Sequence, residues 1–145
     1  LSFTSHTIPT DADGAYSVFA ADVNNDGHVD ALSASFNDDK VSWYENMNND
    51  LGIWPENILT ENMDGAYVVH AMDMDSDDDI DIIAASSYDD KITLWTSNGS
   101  GVLIEDNSIT GSADGVRDIF PVDLDIFKPF PSTTKPPPTP VPTVT

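Results

Sequence analysis

Two short stretches hold the residues that could do chemistry. They are Asp22-Val-Asn24-Asn-Asp26-Gly27-His28-Val-Asp30 and Asp73-Met-Asp75-Ser-Asp77-Asp78-Asp79-Ile-Asp81. Each places oxygen-bearing side chains at positions 1, 3, 5 and 9. A tight loop with this spacing turns those oxygens toward one point. Hard cations such as Ca²⁺ take six to eight oxygens at roughly 2.3–2.6 Å, and such a loop supplies them. In the first loop the expected ligands are the side chains of Asp22, Asn24, Asp26 and Asp30, with His28 offering its backbone carbonyl. In the second they are Asp73, Asp75, Asp77 and Asp81, with the carbonyl of Asp79. Gly27 suits the left-handed backbone of the turn. Asp78 stands at the matching position, and aspartate tolerates that conformation at modest cost.

An EF-hand would need Glu at position 12 and a helix on each side. Position 12 is Ser33 in one copy and Ala84 in the other, and the flanks read as strands. A third loop, Asp123-Leu-Asp125-Ile-Phe127, puts Phe where the third acid belongs and is expected to be metal-free. Two Ca²⁺ sites are therefore expected.

The elements that position these loops repeat. Asp13-Gly14-Ala15-Tyr16 returns as Asp64-Gly65-Ala66-Tyr67, and Asp39-Lys40-Val41 as Asp90-Lys91-Ile92. Together with Asp22 and Asp73, all three anchors share one register of 51 residues. Asp114-Gly115 begins a third copy 50 residues on. Within the first unit, strands are expected over Tyr16–Val23, Ala31–Phe36, Lys40–Glu45 and Ile53–Leu59. The second unit matches with Tyr67–Met74, Ile82–Ser87, Lys91–Thr96 and Val102–Ile109. No segment shows a helical period with caps. The fold class is all-β, with four-stranded antiparallel blades of the propeller type.

The ends read as partial blades. Phe3 to Ile8 resembles the strand before the second Asp-Gly, so 1–8 is expected to be the last strand of a preceding blade. Val116 to Asp125 reads as a first strand with no successors. The units are then about 14–64, 65–114 and a partial 115–127. Residues 128–145, with prolines at 129, 131, 136–138, 140 and 142, form an extended tail. A closed propeller needs about four to eight blades. These 145 residues would therefore be part of a longer chain, or be completed by neighbours. A start at Leu1 suits a mature or partial chain.

Composition narrows the partners. Twenty-six acidic residues oppose five basic ones, for a net charge of −21. Such a surface repels nucleic acid and anionic membranes. Two Ca²⁺ would bring −21 to −17, with the relief placed where carboxylates crowd. No cysteine is present, so disulfides and thiolate sites are excluded. No apolar run reaches the roughly 18 residues of a spanning helix. Loops of this type fill readily where Ca²⁺ is millimolar, which points outside the cell.

The pattern Asp-x-(Asp/Asn)-x-Asp-Gly-x-x-Asp after an apolar strand, followed by Trp43-Tyr44-Glu45-Asn46 and the Phe3–Ile8 strand, resembles the FG-GAP/VCBS repeats of integrin-α-type propellers. The resemblance covers about residues 2–125. It implies four-stranded antiparallel blades with Ca²⁺ in the loop between the first two strands, carried over to the two complete loops alone.

The aromatics Tyr16, Phe19, Trp43, Tyr44, Trp54, Tyr67, Tyr88 and Trp95 are expected to pack between blades, since several recur at matching positions. His6, His28 and His70 fall at different repeat positions and pair with no serine at triad spacing. Neither a zinc site nor a catalytic residue is expected. Asn98-Gly99-Ser100 is an N-glycosylation sequon, and Ser132, Thr133, Thr134 and Thr139 suit O-glycosylation of a mucin-like stalk. The function these features favour is an extracellular, calcium-stabilised structural or adhesive module. Copies of the chain would join head to tail through the N-terminal strand, the partial third blade or the tail. The alternative is a carbohydrate- or protein-binding part of a larger propeller, with an exposed aromatic cluster on one rim.

Overall fold

The computed structural model describes residues 7–8, 10–48, 52–106, 109 and 113–122. Eight strands form two antiparallel sheets. The first is β1 (Ala15–Ala21), β2 (Asp30–Ser35), β3 (Lys40–Tyr44) and β4 (Glu56–Thr60), in chain order. The second is β5 (Ala66–Met72), β6 (Asp81–Ser86), β7 (Ile92–Ser97) and β8 (Leu103–Asp106). No helix longer than a single 3₁₀ position occurs among the described residues.

The 51-residue register holds down to irregularities. β1 slips against β2 between Ala15 and Ser17, and β5 slips against β6 between Ala66 and Val68. The turn after β2 is tied back to the unit's start by Phe36 N–H to Gly14 O at 3.0 Å and Asn37 N–H to Asp13 O at 3.1 Å. Ser87 and Tyr88 repeat both bonds onto Gly65 and Asp64. Asp39 and Asp90 each turn with φ 57°. Each then accepts the N–H of the next unit's glycine: Gly65 at 2.8 Å and Gly115 at 2.9 Å. The third unit thus begins as the second does.

The core lies between the two sheets. Leu32, Ala34, Val41, Trp43 and Val23 from the first unit meet Ala66, Val69, Ala71, Ile82, Ala84, Trp95 and Met63 from the second. β2 and β6 are almost wholly buried, which explains their small and branched composition. Each fully buried Leu, Ile or Val contributes about 1.5–3 kcal/mol. Trp43, Tyr44 and Trp95 are buried as expected, whereas Tyr16 and Tyr88 are exposed.

Four expectations need correction. The fourth strand begins at Glu56 rather than Ile53, because Pro55 has no N–H for the ladder; its carbonyl instead accepts from Glu45 at 3.0 Å. The last strand of the second unit is confined to Leu103–Asp106 among the described residues. Residues 116–122 form no strand among the described residues. Of the N-terminal segment, Thr7 and Ile8 lie in no strand, while residues 1–6, with His6, lie outside the described residues. So do Asp123–Phe127 and the tail with Ser132, Thr133, Thr134 and Thr139.

Candidate metal centre

Both acid loops connect a first strand to a second at one end of the stack. Each is wound by its own carboxylates. Asp22 accepts the N–H of Asp26 at 3.0 Å through Oδ1 and that of Gly27 at 2.9 Å through Oδ2. Asp73 accepts Ser76 at 2.6 Å and Asp77 at 3.2 Å through Oδ1, and Asp78 at 3.1 Å through Oδ2. Asp26 and Asp77 each accept the N–H two residues on, at 2.8 and 2.9 Å. Gly27 and Asp78 both have left-handed φ, 87° and 73°. Asn25 and Ser76 are left-handed as well, which composition alone did not suggest.

The ninth residue of each loop opens the second strand and is buried. Asp30 accepts Val23 N–H at 2.9 Å and Asn46 N–H at 2.8 Å. Asp81 accepts Met74 N–H at 2.7 Å and Ser97 N–H at 2.8 Å. Both carboxylates therefore clamp the strand entering the loop to the end of the third strand. Burial raises the Asp30 carboxyl above its usual range, partly offset by those two N–H groups; Asp26 and Asp22 push it up further.

The second loop brings three carboxylates together. Asp73, Asp75 and Asp81 each place an oxygen so that all three lie within 4.8 Å of one another. Ligands at 2.3–2.6 Å from one ion cannot stand more than about 5.2 Å apart, so these fit a single cation. All are hard oxygen donors, the set that Ca²⁺ prefers. Desolvation raises the Asp75 carboxyl, and repulsion from Asp77 and Asp81 adds to it. A cation would relieve that repulsion. Asp77 lies outside the trio. The first loop holds Asn24 where the second has Asp75; its Oδ1 accepts Asp26 N–H at 3.2 Å and its Nδ2 donates to Glu45 at 3.2 Å.

The two loops also touch. Asn25 Nδ2 donates to Asp79 Oδ1 at 2.8 Å. Gly99, with φ 72°, sits where a side chain would collide with that same Asp79 carboxylate. His28 is half-buried within the first loop, and His70 packs edge-on against Phe19, 5.3 Å between ring centres.

Residues 22–84 match the sequence profile of the FG-GAP-like repeat. The match starts at the first ligand position of one loop and runs past the last of the other. This stretch is similar to an FG-GAP-like repeat. No curated protein and no solved structure matches the chain. FG-GAP repeats are structural or binding modules, occur in extracellular proteins and often bind Ca²⁺. No helix among the described residues is long and apolar enough to cross a membrane. Within the matched stretch, Asp73, Asp75 and Asp81 could hold a metal ion.

Proposed function

We propose that the protein is an extracellular, calcium-stabilised structural or adhesive module without catalytic activity, a subunit of a linear assembly completed by neighbouring chains. Each of its two complete loops takes one Ca²⁺: Asp22, Asn24, Asp26, His28 and Asp30 in the first, Asp73, Asp75, Asp77, Asp79 and Asp81 in the second. The ion neutralises the crowded carboxylates and ties two strands of a blade together.

One observation carries the assembly. The second unit buries Met63, Ala66, Val69, Ala71, Ile82, Ala84 and Trp95 against the first. Subtracting 51 gives Ala12, Ala15, Val18, Ala20, Ala31, Ser33 and Tyr44. All seven line a groove of about 600 Å³ on the free face of the first unit. Val69 is 0% exposed, and its counterpart Val18 is 74% exposed. The groove is the repeat's own socket without its insert. At the other end of the stack, Phe120 and Val122 stand 83% and 55% exposed. Unlike apolar surfaces at opposite ends favour a heterologous, head-to-tail contact, which generates rings or filaments. The partial third unit or the tail of a neighbour is the proposed insert.

Sedimentation velocity in millimolar Ca²⁺ tests this. Assemblies larger than the 15.7 kDa chain are expected, lost on Val18→Asp and on removing residues 126–145. A monodisperse monomer at every concentration overturns the assembly. The sequon is a separate proposal: Asn98 is exposed, and its Oδ1 accepts from Ser100 Oγ at 2.7 Å. A peptide-N-glycosidase mobility shift of the natively secreted protein tests whether it is used.

A further inference from the structure

The rim opposite the acid loops carries four aromatic rings in mutual contact. Tyr16 and Tyr67 are the second residues of β1 and β5, while Phe36 and Tyr88 follow β2 and β6. Ring centres are 4.6 Å apart for Tyr16–Tyr67, 5.3 Å for Tyr16–Phe36 and 5.1 Å for Phe36–Tyr88. Interplanar angles of 38° to 64° among these pairs make walls rather than a flat stack. Tyr16 is 60% and Tyr88 67% exposed, so neither completes the inter-sheet core.

A cation already uses this cluster. The Arg117 guanidinium stands over the Tyr67 ring, 6.0 Å from its centre, within the range of a cation–π contact. Tyr16, Tyr67 and Arg117 occupy the same position in three successive units, at spacings of 51 and 50. The rim is acidic as well. The backbone bonds that hold Phe36-Asn37 and Ser87-Tyr88 run to Asp13-Gly14 and Asp64-Gly65, and both of those aspartates are exposed. Aromatic faces and carboxylates together, on a chain of net charge −21, recognise organic cations and repel anions.

We infer that this rim docks a basic peptide segment of another protein. The open faces of Tyr16 and Tyr88 take arginine or lysine side chains as Tyr67 takes Arg117, and Asp13 and Asp64 pair with their charge. The inference goes beyond the assembly proposed above and uses the opposite rim from the metal loops.

The test is fluorescence anisotropy with a labelled Arg-Gly-Ser repeat peptide, in millimolar Ca²⁺ so that the acid loops are filled. Tyr16→Leu with Tyr88→Leu keeps apolar bulk and removes the aromatic face. It is expected to weaken binding roughly 3- to 30-fold, while Tyr16→Phe with Tyr88→Phe retains it. Tyr88→Leu alone, at the more exposed position, serves if the double variant melts early. Equal affinity of parent and leucine variants overturns the inference, because the whole acidic surface would then account for binding. Tyrosine-dependent binding of a neutral oligosaccharide, with no tyrosine-dependent binding of the peptide, overturns it in favour of a glycan.

Discussion

Asn25 and Asp79 belong to different acid loops and share a hydrogen bond of 2.8 Å. The carboxylate of one unit's loop is thus held by the amide of the other's. If each loop takes Ca²⁺ as proposed, filling one is expected to bear on the other through this bond. Asn25→Gly, which keeps the left-handed turn, is expected to leave both loops intact but make their Ca²⁺ binding independent. Calorimetric titration of parent and variant should show two coupled events becoming two separate ones.

Removing Ca²⁺ should lower the thermal midpoint. Extracellular calcium modules bind at about 10⁻⁴–10⁻³ M, so millimolar Ca²⁺ adds on the order of 1 kcal/mol per site, or several degrees for a domain of this size. Excess EDTA leaving the midpoint unchanged would show that the loops hold no structural metal. Asp75→Asn should separate the terms. It lowers affinity at the second loop yet leaves the metal-free protein as stable as the parent or more so, because repulsion with Asp77 and Asp81 is removed.

Asp81→Ala should destabilise with or without metal. It strips the acceptor from Met74 N–H and Ser97 N–H inside a buried site. Each orphaned donor costs about 1–3 kcal/mol. Urea melts in EDTA isolate this part, and an effect below about 1 kcal/mol there would mean that the clamp matters only as a ligand.

Lys40 is buried and bonds Asp11 at 2.6 Å and Glu56 at 3.0 Å. Burial pulls its ammonium down, but those two carboxylates more than offset this and hold it above the ordinary 10.5. The Lys40 bond and charge hold Asp11 below the ordinary 3.8. A depressed acid stabilises above its unfolded value and loses that as pH falls through its folded one. A raised lysine stabilises below its unfolded value and loses that as pH rises through its folded one. The pair therefore supports the fold from about pH 4 to beyond pH 10. Lys40→Met should flatten the stability profile at both edges, read from melts across pH in EDTA.

Gly99→Ala combines a positive φ with a collision at Asp79. It should cost about 1 kcal/mol or more and weaken Ca²⁺ binding at the second loop. Gly27→Ala, with open space around it, should cost less.

The repeat and the loops were legible because their signals are local. Acids two residues apart must meet when the chain turns tightly, and a 51-residue echo needs no structure to be seen. The clamps on Asp30 and Asp81 were not legible. Their partners, Asn46 and Ser97, act through backbone N–H groups 16 residues away, and any residue but proline could stand there. The aromatic rim was hidden for another reason. Tyr16 and Trp43 are alike as apolar rings, and only the sheet pairing decides which enters the core and which reaches the edge. Phe36 has no aromatic counterpart in the second unit, where Ser87 stands, so the repeat does not mark it.

The matching bulges in β1 and β5 carry a last consequence. Two units that agree in their defects as well as their strands are interchangeable parts. Removing or inserting a block of 51 residues between equivalent positions would keep the repeated junctions, such as the Asp39–Gly65 and Asp90–Gly115 bonds, in place. The number of blades such a chain carries would then be a matter of copy number, adjustable at the level of the gene.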